Sequence, residues 1–324
     1  MTGQTFRGLT IAAIAILAFC STAQAFMGEY TGTFYADKVV QMPAKAVVIA
    51  EAEDRYRICI KTTDTGAGRD GVAIEVYGHK RGFECLISDR AGGYHWGGQI
   101  KDGHLSIRSG YGQHFELDKI VRKSPKEGLK PPADAVVLLP YKQGAKPDLS
   151  AWTNQQWKAT DSGTMQVTKG GTQTKERFGD IKHLHLEFWL PLEPLNRGQG
   201  RCNSGLFFCD IFEVQILDSF GLIETSGDCG GLYNFKRPDV NASLPPLTWQ
   251  TYDVEFRAPR LNSDGSVKEA ARITVYLNGV KIHDNVELPH GTANPKADQK
   301  ATGPIQLQDH GHPIQFRNIW LVKG

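Results

Sequence analysis

The stretch His183-Leu184-His185-Leu186-Glu187-Phe188-Trp189-Leu190 alternates without a break. Leu184, Leu186, Phe188 and Leu190 fall on one side. His183, His185, Glu187 and Trp189 fall on the other, with the period of two that marks a half-buried strand. Working outward, further β-like runs occur at residues 205–208, 212–217, 251–257, 273–277, 305–308 and 314–321. Asn278-Gly279, between 273–277 and 280–282, reads as a tight hairpin turn. Many short strands with almost no helical periodicity predict an all-β antiparallel sandwich.

Upstream, residues 123–134 (KSPKEGLKPPAD) are charged and Pro-rich, and read as a linker. Before it, residues 26–122 carry shorter β-like runs broken by glycines, a small β-rich domain with no recognisable chemistry. Its Gly92-Gly93-Tyr94-His95-Trp96-Gly97-Gly98 segment reads as an aromatic turn. Residues 1–25 combine Arg7, an apolar run from Leu9 to Cys20 and a small-residue Ala23-Gln24-Ala25 site. That pattern predicts a cleaved signal peptide and a periplasmic or secreted protein. The apolar run is about a dozen residues, short of a bilayer span, so no membrane insertion is expected after cleavage. The formal net charge of +2, with basic residues scattered among acids, argues against a nucleic-acid partner. Export permits disulfides. Cys59 with Cys85 is one candidate pair, and Cys202, Cys209 and Cys229 allow one more with a thiol left over. Their spacing is not that of a zinc site.

Three constellations could carry chemistry. On a strand through Glu213-Val214-Gln215-Ile216-Leu217-Asp218, Glu213 and Gln215 share one face and Val214 and Ile216 the other. Asp218 has the opposite parity unless a β-bulge near Leu217 returns it to the face of Glu213. Two carboxylates there would divide acid and base roles. In Gln306-Leu307-Gln308-Asp309-His310-Gly311, the residues Gln306, Gln308 and His310 share a face, with His310 at the strand's end as a proton shuttle. His185 and Glu187 line either the same cleft or the solvent side of the other sheet. Asn203 offers an amide to sugar hydroxyls or makes a plain turn. Trp249 and Tyr252 are either sugar-stacking or core aromatics.

Taken in order, residues 148–152 (DLSAW), 174–180 (TKERFGD, which carries Lys175), 185–188 (HLEF), 201–207 (RCNSGLF), 212–219 (FEVQILDS), 249–253 (WQTYD), 277–280 (LNGV), 303–311 (GPIQLQDHG) and 316–320 (FRNIW) resemble the 3-keto-disaccharide hydrolase domain family. The resemblance covers about residues 135–323. It implies a concanavalin A-like jelly roll over 135–324 and cleavage of glycosides already oxidised at C3, with a 3-keto-glucoside as partner. The implied catalytic residues are Glu213, Asp218 and His310. The implied substrate-binding residues are Gln215, His185, Glu187, Asn203, Gln308 and Lys175.

The strand also resembles the Glu-x-Asp-x-x-Glu strand of laminarinase-type glycosidases, with Gln215 in place of the central Asp and Asp218 in place of the final Glu. The chemistry expected instead is removal of the C2 proton by His310 or Glu213, β-elimination with Asp218 as acid, and hydration. An amide donor, or a divalent cation held by oxygen and imidazole ligands, would stabilise the enolate; no complete ligand set is legible. An ordinary glycoside hydrolase and a non-catalytic sugar-binding module of the same fold are the alternatives.

Overall fold

The structure is a computed structural model describing residues 25–63 and 71–324. The expected signal segment lies outside the described residues but for Ala25. Among the described residues, no helix is long and apolar enough to cross a membrane. The chain forms two compact units, one running to Arg122 with Pro194–Asn196 added, the other comprising Lys123–Glu193 and Arg197–Gly324.

The first unit is a closed barrel of eight strands: β1 (Gly28–Tyr35), β2 (Gln41–Ala50), β3 (Arg55–Thr62), β4 (Ala73–Arg81), β5 (Glu84–Ala91), β6 (Tyr94–Lys101), β7 (His104–Ser109) and β8 (His114–Ile120). Each strand pairs antiparallel with the next, and β1 closes on β8. Alternation explains the interior. Phe34, Val48, Ile58, Val76, Trp96, Leu105 and Phe115 point inward and are almost wholly buried, so the barrel is filled by side chains. The same alternation rules out the expected Cys59–Cys85 bridge. Cys85 is buried inside, whereas Cys59 faces outward toward Glu75, its Sγ 3.5 Å from Oε2. All five described cysteines are free thiols.

The second unit is the sandwich. Its strands are β9 (Val136–Leu139), β10 (Lys158–Ala159), β11 (Met165–Gln166), β12 (Thr172–Gln173), β13 (Ile181–Trp189), β14 (Ser204–Phe208), β15 (Phe212–Ile216), β16 (Trp249–Arg257), β17 (Arg260–Leu261), β18 (Val267–Glu269), β19 (Ala271–Leu277), β20 (Val280–Leu288), β21 (Ile305–Leu307) and β22 (Gln315–Lys323). The larger sheet runs β10-β11-β22-β13-β16-β19-β20, with β9 also paired to β22; the smaller runs β12-β21-β14-β15, and β17 pairs only with β18. One apolar core lies between the sheets. Leu184, Leu186, Phe188, Val254 and Phe316 come from the larger sheet, and Leu206, Phe208, Phe212, Val214, Ile216 and Leu307 from the smaller. Burying these side chains is the main stabilising term, at about 1.5–3 kcal/mol each. Asn278 (φ 52°) and Gly279 (φ 78°) both take the left-handed backbone that the expected hairpin turn requires.

Residues 123–134, expected to be a linker, are part of this unit and pack on the larger sheet. Ser124 Oγ lies 2.7 Å from Thr251 Oγ1, and Leu129 O accepts from Asn318 Nδ2 at 2.9 Å.

Candidate active site

Because Phe212, Val214 and Ile216 face the core, β15 turns Glu213 and Gln215 to the outer face of the smaller sheet. The free side of β15 is not an open edge. Tyr233 N donates to Glu213 O, Gln215 N to Gly231 O, and Gly230 N to Gln215 O. Thr292 Oγ1 accepts from Glu213 N at 2.7 Å. Residues 230–233 and Thr292 therefore wall the site.

On the neighbouring strand, Gly205 stands opposite Gln215. A Cβ at Gly205 would lie 2.4 Å from Glu213 Oε1 and 3.1 Å from Gln308 Oε1. Those two oxygens thus share the space that a missing side chain leaves. The β14–β21 ladder extends to Gln308, whose N donates to Gly205 O at 3.1 Å and whose O accepts from Ser204 Oγ at 2.7 Å.

Glu213 is 4% exposed, and among the described residues its carboxylate accepts no hydrogen bond. Burial alone pushes its pKa up to about 7. Two other polar atoms nearby are buried and unpartnered: Gln308 Oε1 and Asn203 Oδ1. Such atoms are costly without a ligand. Gln199, in the turn Gly198–Gly200, ties the wall together. Its Oε1 accepts from Gln215 Nε2 at 2.9 Å and from Asn203 Nδ2 at 3.1 Å. Periodicity cannot reveal Gln199, since it lies between two glycines outside any strand.

The remaining expected site residues divide. β15 and its pairing with β14 end at Ile216, one residue short of the position at which a bulge was expected. Asp218 follows the strand and is buried against Arg201, whose Nε donates to Asp218 Oδ2 at 2.6 Å. Burial pushes the Asp218 carboxyl up, against the opposing pull of that guanidinium. A carboxylate so engaged is a strut rather than a free acid. His310 is exposed in the loop after β21, where burial and His312 lower its pKa. Asp309 braces this loop by accepting from Gly170 N and Gly311 N, each at 2.7 Å. Lys175 is exposed after β12.

His185 and Glu187 do not join Glu213. Both lie on the outer face of the larger sheet, across the core, and are fully buried there. His185 Nδ1 lies 2.9 Å from Asp253 Oδ1, and His183 Nε2 lies 2.7 Å from the same oxygen. Glu187 accepts from Arg317 Nε at 2.6 Å, Asn318 Nδ2 at 2.8 Å and Gly128 N at 2.7 Å. Burial would raise the Glu187 pKa, but His185, Asn318 and Arg317 together hold it below the usual value. Arg317 is in turn stacked over Trp249, 3.9 Å from its ring centre, and bonded to Glu127 at 2.8 Å. Tyr252 is a core residue. This cluster is a buried polar network partly covered by residues 124–129, with His183 and Arg317 at its solvent-facing margins.

The comparisons with known proteins place this sandwich among carbohydrate-active enzymes of hydrolase or lyase type. The family model for 3-keto-alpha-glucoside-1,2-lyase-like domains matches residues 142–322, more than half the chain. The chain belongs to that family. A crystal structure of a candidate glycosyl hydrolase from Parabacteroides distasonis ATCC 8503 is 34% identical, with a TM-score of 0.54 over 60% of this chain and 85% of that one. A second candidate glycosyl hydrolase from the same organism is 17% identical, covering 55% of this chain and 90% of that one, with a TM-score of 0.40. No curated protein matches the chain.

Proposed function

We propose that the chain cleaves glycosides already oxidised at C3, by removal of the C2 proton, β-elimination and hydration. The observation that carries this reading is Glu213, buried without a charged neighbour beside the unpartnered Gln308 Oε1, where burial pushes its pKa up to about 7. A base matched to neutral pH suits a proton that an adjacent ketone has acidified. The C2–H electron pair passes into an enolate on the C3 oxygen. Its collapse forms the C1–C2 double bond and breaks the C1–O bond. The departing oxygen keeps that pair and takes a proton from solvent. Water then adds across the double bond, hydroxyl to C1 and proton to C2, and the sum is hydrolysis. Gln308 Oε1 and Asn203 Oδ1 accept hydrogen bonds from sugar hydroxyls.

Ordinary retaining hydrolysis needs a second carboxyl about 5–5.5 Å from the first. Gln215 occupies the adjacent position on that face, and Asp218 is engaged by Arg201. Both facts favour elimination over double displacement.

The test is the initial rate on a 3-keto-disaccharide and on its unoxidised parent. Turnover of the oxidised sugar alone, with transient near-ultraviolet absorption from the enone, is expected. Equal rates on both would replace this reading with an ordinary glycosidase. Binding without turnover of either would leave a sugar-binding module.

Gly205→Ala probes the geometry directly. Gly205 does not need a left-handed backbone, so the variant folds, at an overpacking cost of about 1–3 kcal/mol. Its methyl group displaces the Glu213 carboxylate, and turnover falls on the order of 100-fold. A variant with wild-type rates would mean that the space above Gly205 is not where the chemistry occurs.

A further inference from the structure

At one end of the sandwich three segments bring unlike donors together. Glu193 follows β13, Cys202 precedes β14, and His312 follows β21. Their ligand atoms all lie within 4.8 Å of one another. His312 Nδ1 is 2.8 Å from Glu193 Oε2 and 3.0 Å from Oε1. The Cys202 thiol is buried and donates to Pro191 O at 2.9 Å.

The four remaining described cysteines lie outside any such group of donors.

We propose that Glu193, Cys202 and His312 bind a borderline divalent cation, zinc foremost, with the fourth position left to water. The donor chemistry supports this choice. A thiolate, an imidazole and a carboxylate suit zinc, whereas calcium and magnesium take oxygen ligands. It therefore differs from the oxygen-and-imidazole set considered for stabilising the enolate. Tetrahedral zinc, with bonds of about 2.0 Å to N and O and about 2.3 Å to S, holds its ligands roughly 3.3–3.6 Å apart. The present separations need side-chain shifts of only about 1 Å to reach that spacing.

Binding displaces the thiol proton and the proton shared by His312 and Glu193. The bound ion would link the loop carrying Gln308 and His310 to the segment carrying Asn203. Its assigned role is to position the two oxygens that receive the sugar.

The site can be read without any turnover assay. Titration of metal-free protein with zinc should give one ion per chain with proton release. Cobalt should give an intense thiolate-to-metal charge-transfer band in the near ultraviolet. Cys202→Ser should abolish the band and weaken zinc binding by more than about 100-fold, beyond the effect of losing an outer-shell group. Glu193→Gln should weaken binding and keep the band, while Cys209→Ser should change neither. Absence of the band in the wild-type protein would overturn the proposal, whatever the variants do. So would undiminished zinc binding by Cys202→Ser. Because these readouts need no sugar, their failure is separable from failure of the proposed reaction.

Discussion

Glu213→Gln is expected to lower turnover of a 3-keto-disaccharide by at least about 100-fold, the usual scale for losing a positioned base. The same substitution should stabilise the sandwich. The glutamate titrates near 4.5 when unfolded and near 7 when folded. Between those values the folded chain holds a proton that the unfolded chain has released, so stability falls as pH rises through the window. The loss amounts to about 3 kcal/mol by pH 7.5, at roughly 1.4 kcal/mol per pKa unit, because an unpaired carboxylate is then buried. Glutamine carries no such penalty. Urea unfolding should show a small advantage for the variant at pH 5, about 1 kcal/mol, and the full advantage of about 3 kcal/mol at pH 8. The wild-type rate should rise with pH through about 7, since only the ionised form is a base. A variant that retains activity, or whose stability advantage over the wild type is no larger at pH 8 than at pH 5, would remove Glu213 from the centre of the site.

Arg317→Ala is the counterpart on the other face. It removes the guanidinium that donates to Glu187 at 2.6 Å and to Glu127 at 2.8 Å, and that covers the ring of Trp249. Glu187, fully buried in the wild type, would lose its guanidinium partner. Breaking such a pair from one side costs about 3–5 kcal/mol. Replacing both members, as Glu187→Leu with Arg317→Met, should cost less than the single change, because no charge is stranded. Activity per folded molecule should persist in both, since the core separates this cluster from Glu213. Thermal melts and rates corrected for the folded fraction check both points. Unchanged stability together with lost turnover would make the cluster part of the active site.

Parity along a strand was readable from the residues, and it correctly turns Glu213 and Gln215 away from Val214 and Ile216. Parity does not say which sheet a strand joins. His185 and Glu187 have the same polar, outward signature as Glu213, yet they lie across the core from it. Asp218 shows a second limit. Its position depends on where β15 ends, and that is decided by the turn beyond Leu217 and by the Arg201 side chain rather than by any local pattern. The barrel's strands were visible as β-like runs, but its closure was not. Closure rests on pairing Glu29 with Ile120 and Tyr35 with His114, contacts that no short window contains. The segment 123–134 has the composition of a linker. Its polar groups nonetheless find buried partners on the larger sheet, which composition cannot report.

The position of β22 has a consequence for how the sandwich is made. This strand comes last in the sandwich's sequence but stands inside the larger sheet, with β13 on one side and β9 and β11 on the other. During synthesis β13 can pair with β16 as soon as both have emerged. Its opposite flank then remains unpaired, beside an uncovered apolar face, until residues 315–323 arrive. The barrel needs no such wait, since seven of its eight pairings join neighbouring strands. A nascent chain stalled before β22 would therefore carry a finished barrel ahead of an open, adhesive half-sheet, the form most prone to capture by another copy of itself.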